Sequence, residues 1–156
     1  MAPELIRECE LYMERGGNAP AAADKRSFKM FDISVSEADA YLLCNRGLSF
    51  NEHLFMLIDR TGRRDSDIYK KAFIDRRLFS KIRSNKNYVP SKKTVIALCL
   101  ALELERGEAD ALLSSAGYSL SRADDYELAI AFCIDKKIFN FFDINEIMVH
   151  FGFEVF

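Results

Sequence analysis

Apolar residues recur at helical spacing along this chain, and the elements they predict are helices. Over residues 3–14, Leu5, Ile6, Cys9, Tyr12 and Met13 fall near one face with charges between them, and Gly16-Gly17 stops the pattern. The stretch to about Ser27, with Asn18-Ala19-Pro20 and small residues, reads as a linker. Residues 28–35 are apolar without a regular period. Ser36 is placed to cap a short helix to about Asn45, with Ala38, Tyr41, Leu42 and Cys44 inward, and Gly47 ends it.

A denser series follows. Ser49 and Glu52 have the spacing of a capping box, in which the hydroxyl takes an orphan amide and the carboxylate reaches back. Leu54, Phe55, Leu57 and Ile58 then form the buried stripe of a helix to Arg60, and Gly62 ends it. A second helix is predicted from about Asp65 to Ala72, burying Ile68 and Ala72, and a third from Asp75 to Arg83, burying Phe79 and Ile82. After an Asn-rich turn, Ser91 caps a fourth to about Leu104; a fifth runs from about Glu108 to Ala116, with Gly117 beyond its end. The fourth helix is apolar nearly all round and must be covered on two sides. The tail supplies candidates: a helix from Ser121 or Asp124 through Ile134, and one opened by an Asp143/Glu146 box and reaching about Phe151. No internal repeat stands out in the sequence. The predicted organisation is an N-terminal helix and linker (1–27), a central domain (28–118) and an aromatic-rich helical extension (119–156).

Charge sharpens this picture. The net charge of −2 argues against an acidic partner only if charge is evenly spread. Between Arg60 and Lys93 there are 12 basic and 3 acidic residues (12 − 3 = +9), leaving 10 basic and 21 acidic elsewhere (10 − 21 = −11). The four cysteines, Cys9, Cys44, Cys99 and Cys133, lack finger or redox spacing and read as small hydrophobes. No apolar run reaches the roughly 18 residues of a membrane span, and the start lacks the order of a signal peptide, so a cytoplasmic location is expected.

From Ser49 to Leu104, about a third of the chain, the positions resemble the Cro/CI-type (XRE, lambda repressor-like) helix-turn-helix family. Gly62 stands where that family leaves its first helix, and Ile68 and Ala72 are the inward pair of its second. Ile74-Asp75 stands at its Val-Ser, and Phe79, Ser80, Lys81 and Ile82 fall on its Ile-Ser-Arg-Ile. Pro90-Ser91 matches its Pro-Ser; Thr94, Val95, Leu98, Cys99, Ala101, Leu102 and Leu104 follow its fourth helix. The chain departs from the pattern at Phe73, where a Gly or Asn usually takes positive φ, and at Arg63-Arg64, which replaces a Leu-Ser entry. The resemblance implies an all-α fold, a helix-turn-helix core with extra N- and C-terminal helices, and a sequence-specific DNA-binding regulator. Dimerisation to read two half-sites follows from the same analogy.

The residues support the same surface. With Phe79 and Ile82 inward, Arg76, Arg77, Ser80, Lys81 and Arg83 face solvent, and Arg can hold guanine bidentately. Arg63, Arg64, Lys70, Lys71, Asn85, Lys86, Lys92 and Lys93 are placed to hold phosphates. Tyr88 can stack on a base or pack the turn. Glu103, Glu105, Glu108, Asp110, Asp124 and Asp125 read as surface charge rather than a metal site, and His53 and His150 as ordinary helix residues. No phosphate loop, nucleophile elbow or cofactor motif is present, so no enzyme is expected. Phe141, Phe142, Phe151, Phe153 and Phe156 either fold back over the preceding helices or form a homodimer or partner interface. Two alternatives to DNA binding stay open: a protein-interaction module that kept the fold, and RNA binding through the same basic surface.

Overall fold

The computed structural model describes residues 35–156, and the helix and linker expected before them lie outside the described residues. Among the described residues there are eight α-helices and no strand. The chain divides between Gly47 and Leu48 into two units. In the first, α1 (Val35–Asn45) carries Ser36 inside the helix rather than ahead of it, and none of its residues is buried. Ala38, Tyr41, Leu42 and Cys44, expected inward, are therefore exposed. Their run of consecutive apolar neighbours covers several directions and defines no single stripe.

The second unit contains α2 (Phe50–Thr61), α3 (Asp65–Lys71), α4 (Arg76–Ser84), α5 (Lys92–Ala101), α6 (Arg106–Ser115), α7 (Asp125–Asp135) and α8 (Phe141–His150). Its caps are largely those written in the sequence. Ser49 Oγ accepts from Glu52 N at 3.2 Å while Glu52 Oε2 accepts from Ser49 N at 3.0 Å. Asp75, Ser91 and Asp124 cap α4, α5 and α7 through their side chains. The opening of α8 differs from expectation. Asn140 Oδ1 takes the Phe142 amide at 2.9 Å, so the helix starts at Phe141, ahead of Asp143.

Helix ends follow one recurring device. At Phe73, Glu103, Gly117, Lys137 and Gly152 the chain turns left-handed, with φ of 54°, 55°, 80°, 57° and 72°. In each case the next residue's amide reaches back to a carbonyl five residues earlier: Ile74 to Tyr69, Leu104 to Cys99, Tyr118 to Leu113, Ile138 to Cys133, Phe153 to Met148. This closure satisfies orphan carbonyls and drives an apolar residue back over the helix end. It also explains why α5 stops at Ala101, short of the expected Leu104. Phe73 does take the positive φ that its place in the turn demands.

The closures expose a repeat that sequence inspection misses. Cys99, Glu103 and Leu104 recur as Cys133, Lys137 and Ile138, 34 residues on (133 − 99). Leu113, Gly117 and Tyr118 recur as Met148, Gly152 and Phe153, 35 residues on (148 − 113). Thus α5–α6 and α7–α8 are two copies of one helical hairpin, with one residue added in the second connection.

Burial binds these hairpins to α2–α4. Every residue from Val95 to Ala101 is buried, as an all-apolar helix requires. Helix α5 packs on α3 and α6, α6 on α2 and α7, and α7 on α8. Ile130, Cys133, Ile134, Ile144 and Met148 join the same core as Leu54, Ile68, Phe79 and Leu98. The one buried polar side chain among the described residues is Asn51, whose Nδ2 donates to the Ile82 carbonyl at the end of α4.

Two stability measurements follow. Asn51→Ala leaves that carbonyl without its buried donor and should cost about 2 kcal/mol in urea unfolding; a loss below about 0.5 kcal/mol would show that the bond does not hold α4. Lys137→Gly relieves a left-handed backbone at an exposed site and should add about 0.5–1 kcal/mol, whereas a destabilised variant would contradict the closure.

Candidate nucleic-acid interface

Helix α4 projects its charged side away from the core. Phe79 and Ile82 are buried, with Phe55 and Tyr69 rings packed on Phe79 at centroid distances of 5.8 and 5.4 Å. The opposite side carries Arg76, Arg77, Ser80 and Lys81, all exposed. Their spacing of three and four residues places them on neighbouring turns of one face. Asp75 accepts from Arg77 N at 3.3 Å and so occupies part of the helix start with a carboxylate.

The twelve cations between 60 and 93 divide into two groups. Six are in ion pairs: Arg60 with Glu108, Arg63 and Lys71 with Glu103, Arg83 with Asp65, Lys92 with Glu127, and Lys93 with Glu154. Among the described residues, Arg64, Lys70, Arg76, Arg77, Lys81 and Lys86 have no carboxylate within ion-pairing reach. Lys81 Nζ lies 4.4 Å from the Tyr88 ring centroid, so Tyr88 supports a cation from the turn. Asn85 follows the end of α4, and its Oδ1 accepts from Asn87 N at 3.0 Å.

Some sequence-predicted residues point elsewhere. Arg83 folds over the Phe55 ring, 4.2 Å from its centroid, and pairs with Asp65, so its guanidinium braces α2 and α3. Lys92 is held by Glu127, which also accepts from the Ser121 amide. Lys93 donates to the Val155 carbonyl at 2.9 Å, beside Glu154. The tail therefore takes both lysines at the start of α5. Phe141 is only 6% exposed, between the Phe73 and Phe156 rings at 5.4 and 5.5 Å. Phe153 and Phe156 are partly buried against the core, leaving Phe142 (71% exposed) and Phe151 (61%) open.

Burial pushes the Cys99 thiol up to about 12, and Asp110 adds to the rise; burial also raises Cys133. His53 is lowered by burial, with Glu108 opposing. No group of three or more His, Cys, Asp or Glu among the described residues is arranged to hold a metal ion, and no described helix is long and apolar enough to cross a membrane. The chain matches no protein-family model, no curated protein and no solved structure with which it was compared.

Glu103 links α3 to the end of α5. A hydrogen bond from Lys71 holds its carboxyl below the usual glutamate range, with Arg63 adding to the effect and burial opposing it. A depressed folded pKa contributes stability above the unfolded pKa, and that contribution is lost as pH falls through the folded value. Unfolding free energy should therefore drop more steeply across this acid window in the wild type than in Glu103→Gln. Superimposable profiles would remove Glu103 from the acid response.

Proposed function

We propose that the α2–α5 segment is a helix-turn-helix of the Cro/CI-like kind and that the protein binds duplex DNA, with α4 as its recognition helix, as a sequence-specific regulator in the cytoplasm. The observation that carries this reading is the division of charge. Within the basic stretch from Arg60 to Lys93, the cations left without acidic partners among the described residues are those on α4 or beside it: Arg64 and Lys70 on the α3 side, Lys86 beyond its end, and Arg76, Arg77 and Lys81 along its face. A helix with an exposed basic face over an anchored apolar one suits the major groove, and flanking cations suit phosphates. Arg76 and Arg77 are the candidates for base edges; Arg64, Lys70, Lys81 and Lys86 are the candidates for backbone.

A second reading, a protein-interaction module with the same helices, is favoured by one observation. Phe73 is 67% exposed in the α3–α4 turn, where its ring meets Phe141 from α8. An aromatic at that place supplies contact area that nucleic acid does not require.

Binding of a labelled random-sequence duplex at two salt concentrations separates the two. If six phosphates are neutralised, log affinity falls with log salt with a slope of about −5. Arg76→Ala with Arg77→Ala should weaken binding by at least about tenfold, with an unchanged unfolding curve. Unaltered binding in that variant removes α4 from the contact. No wild-type binding at low salt favours the interaction module, and displacement by single-stranded RNA better than by duplex would assign the surface to RNA.

A further inference from the structure

The two hairpins provide an internal comparison of their outer faces. In α6 the positions open to solvent are Gly107, Asp110, Ala111 and Ser114, small or polar throughout. Their counterparts 35 residues on in α8 (142 − 107) are Phe142, Asn145, Glu146 and Val149. Phe142 and Val149 are 71% and 67% exposed. The hairpin does not need this face covered, since its first copy leaves the same face polar. Two large apolar groups, two helical turns apart on one line, therefore answer to something outside the unit that α8 belongs to. Asp143 and His150 border the line on one side, both exposed. Asp143 has no ion-pair partner among the described residues.

We infer that this face docks a second copy of the chain, with the two α8 helices antiparallel about a two-fold axis passing between Asn145 and Glu146. The face is complementary to itself in that arrangement. Residues opposite each other sum to the same register, so Phe142 meets Val149 of the other copy and Val149 meets its Phe142. A two-fold axis perpendicular to both helices keeps the Asp143/His150 border on one side. Each Asp143 then comes within one turn of the other copy's His150, where an imidazole N–H can donate to the carboxylate, giving two equivalent contacts. Glu146 lies beside the axis, near its own mate, and this like-charge approach limits affinity. Asn145 is tied to the chain end: its Oδ1 accepts from Phe156 N at 2.9 Å, which fixes the edge of the contact. A single ten-residue helix on each side is a small interface, so dissociation in the micromolar range is expected. The inference does not depend on nucleic-acid binding, and it is tested without nucleic acid.

Sedimentation velocity of the full chain from about 1 to 200 μM, a range set by the weak affinity of small interfaces, should show the mass rising from one chain towards two. Phe142→Asp and Val149→Asp, both at exposed sites, should keep their unfolding temperature and remain monomeric throughout. His150→Asp, which sets two aspartates against each other, should weaken association about tenfold. Combining it with Asp143→His exchanges the partners and should restore dimerisation. Glu146→Gln should strengthen it. A wild-type chain that stays monomeric across the range overturns the inference. So does a dimer indifferent to Phe142→Asp, or one that the Asp143/His150 exchange fails to rescue.

Discussion

Helix α5 has no face that can be left to water. Seven consecutive buried residues, Val95 to Ala101, oblige the chain to supply cover on both sides. Helices α3 and α6 pack on α5 directly, and α6 in turn carries α2 and α7. The aromatic extension is consequently not an appendage. Ile130, Ile134, Ile144 and Met148 belong to the core that also seats Phe79 and Ile82 under α4.

The same packing sorts the charges. The hairpins bring Glu103, Glu108, Glu127 and Glu154 against the basic stretch, and each takes one or two of its cations. These pairs are at least partly exposed, and such pairs contribute little to stability. Their larger consequence is distribution: they take Arg60, Arg63, Lys71, Lys92 and Lys93 and leave Arg76, Arg77 and Lys81 on α4 outside any ion pair among the described residues. The acidic residues thus narrow the unpaired part of the basic stretch rather than cancelling it.

Local signals were legible in the residues because their physics is local. The Ser49/Glu52 box, the caps at Asp75 and Ser91, and the inward pair Phe79 and Ile82 stand where their spacing indicates. The all-round burial of α5 was legible too, since an all-apolar helix permits little else, although its main neighbours are α3 and α6 rather than the tail helices. What failed to show was non-local. Nothing near Arg83 or Lys92 in sequence announces Phe55 or Glu127, which lie across the fold. The hairpin repeat is hidden because its register is kept by backbone closures that accept Glu103, Lys137 or Gly alike, and one extra residue breaks the period. Phe142 and Phe151 were visible only as members of an aromatic run, and burial separates them from Phe141. Val149 was not singled out at all; its pairing with Phe142 depends on knowing which side of α8 faces out.

We propose that the outward side of α4, where Arg76, Arg77 and Lys81 have no ion pair among the described residues, takes a phosphate-bearing duplex. Backbone-amide NMR of the chain titrated with a short random-sequence DNA duplex tests it most directly. Shifts concentrated at Arg64, Lys70 and residues 76–87, with α7 and α8 unaffected, are expected. Shifts centred on Phe142 to His150, or none at duplex excess in low salt, would contradict it.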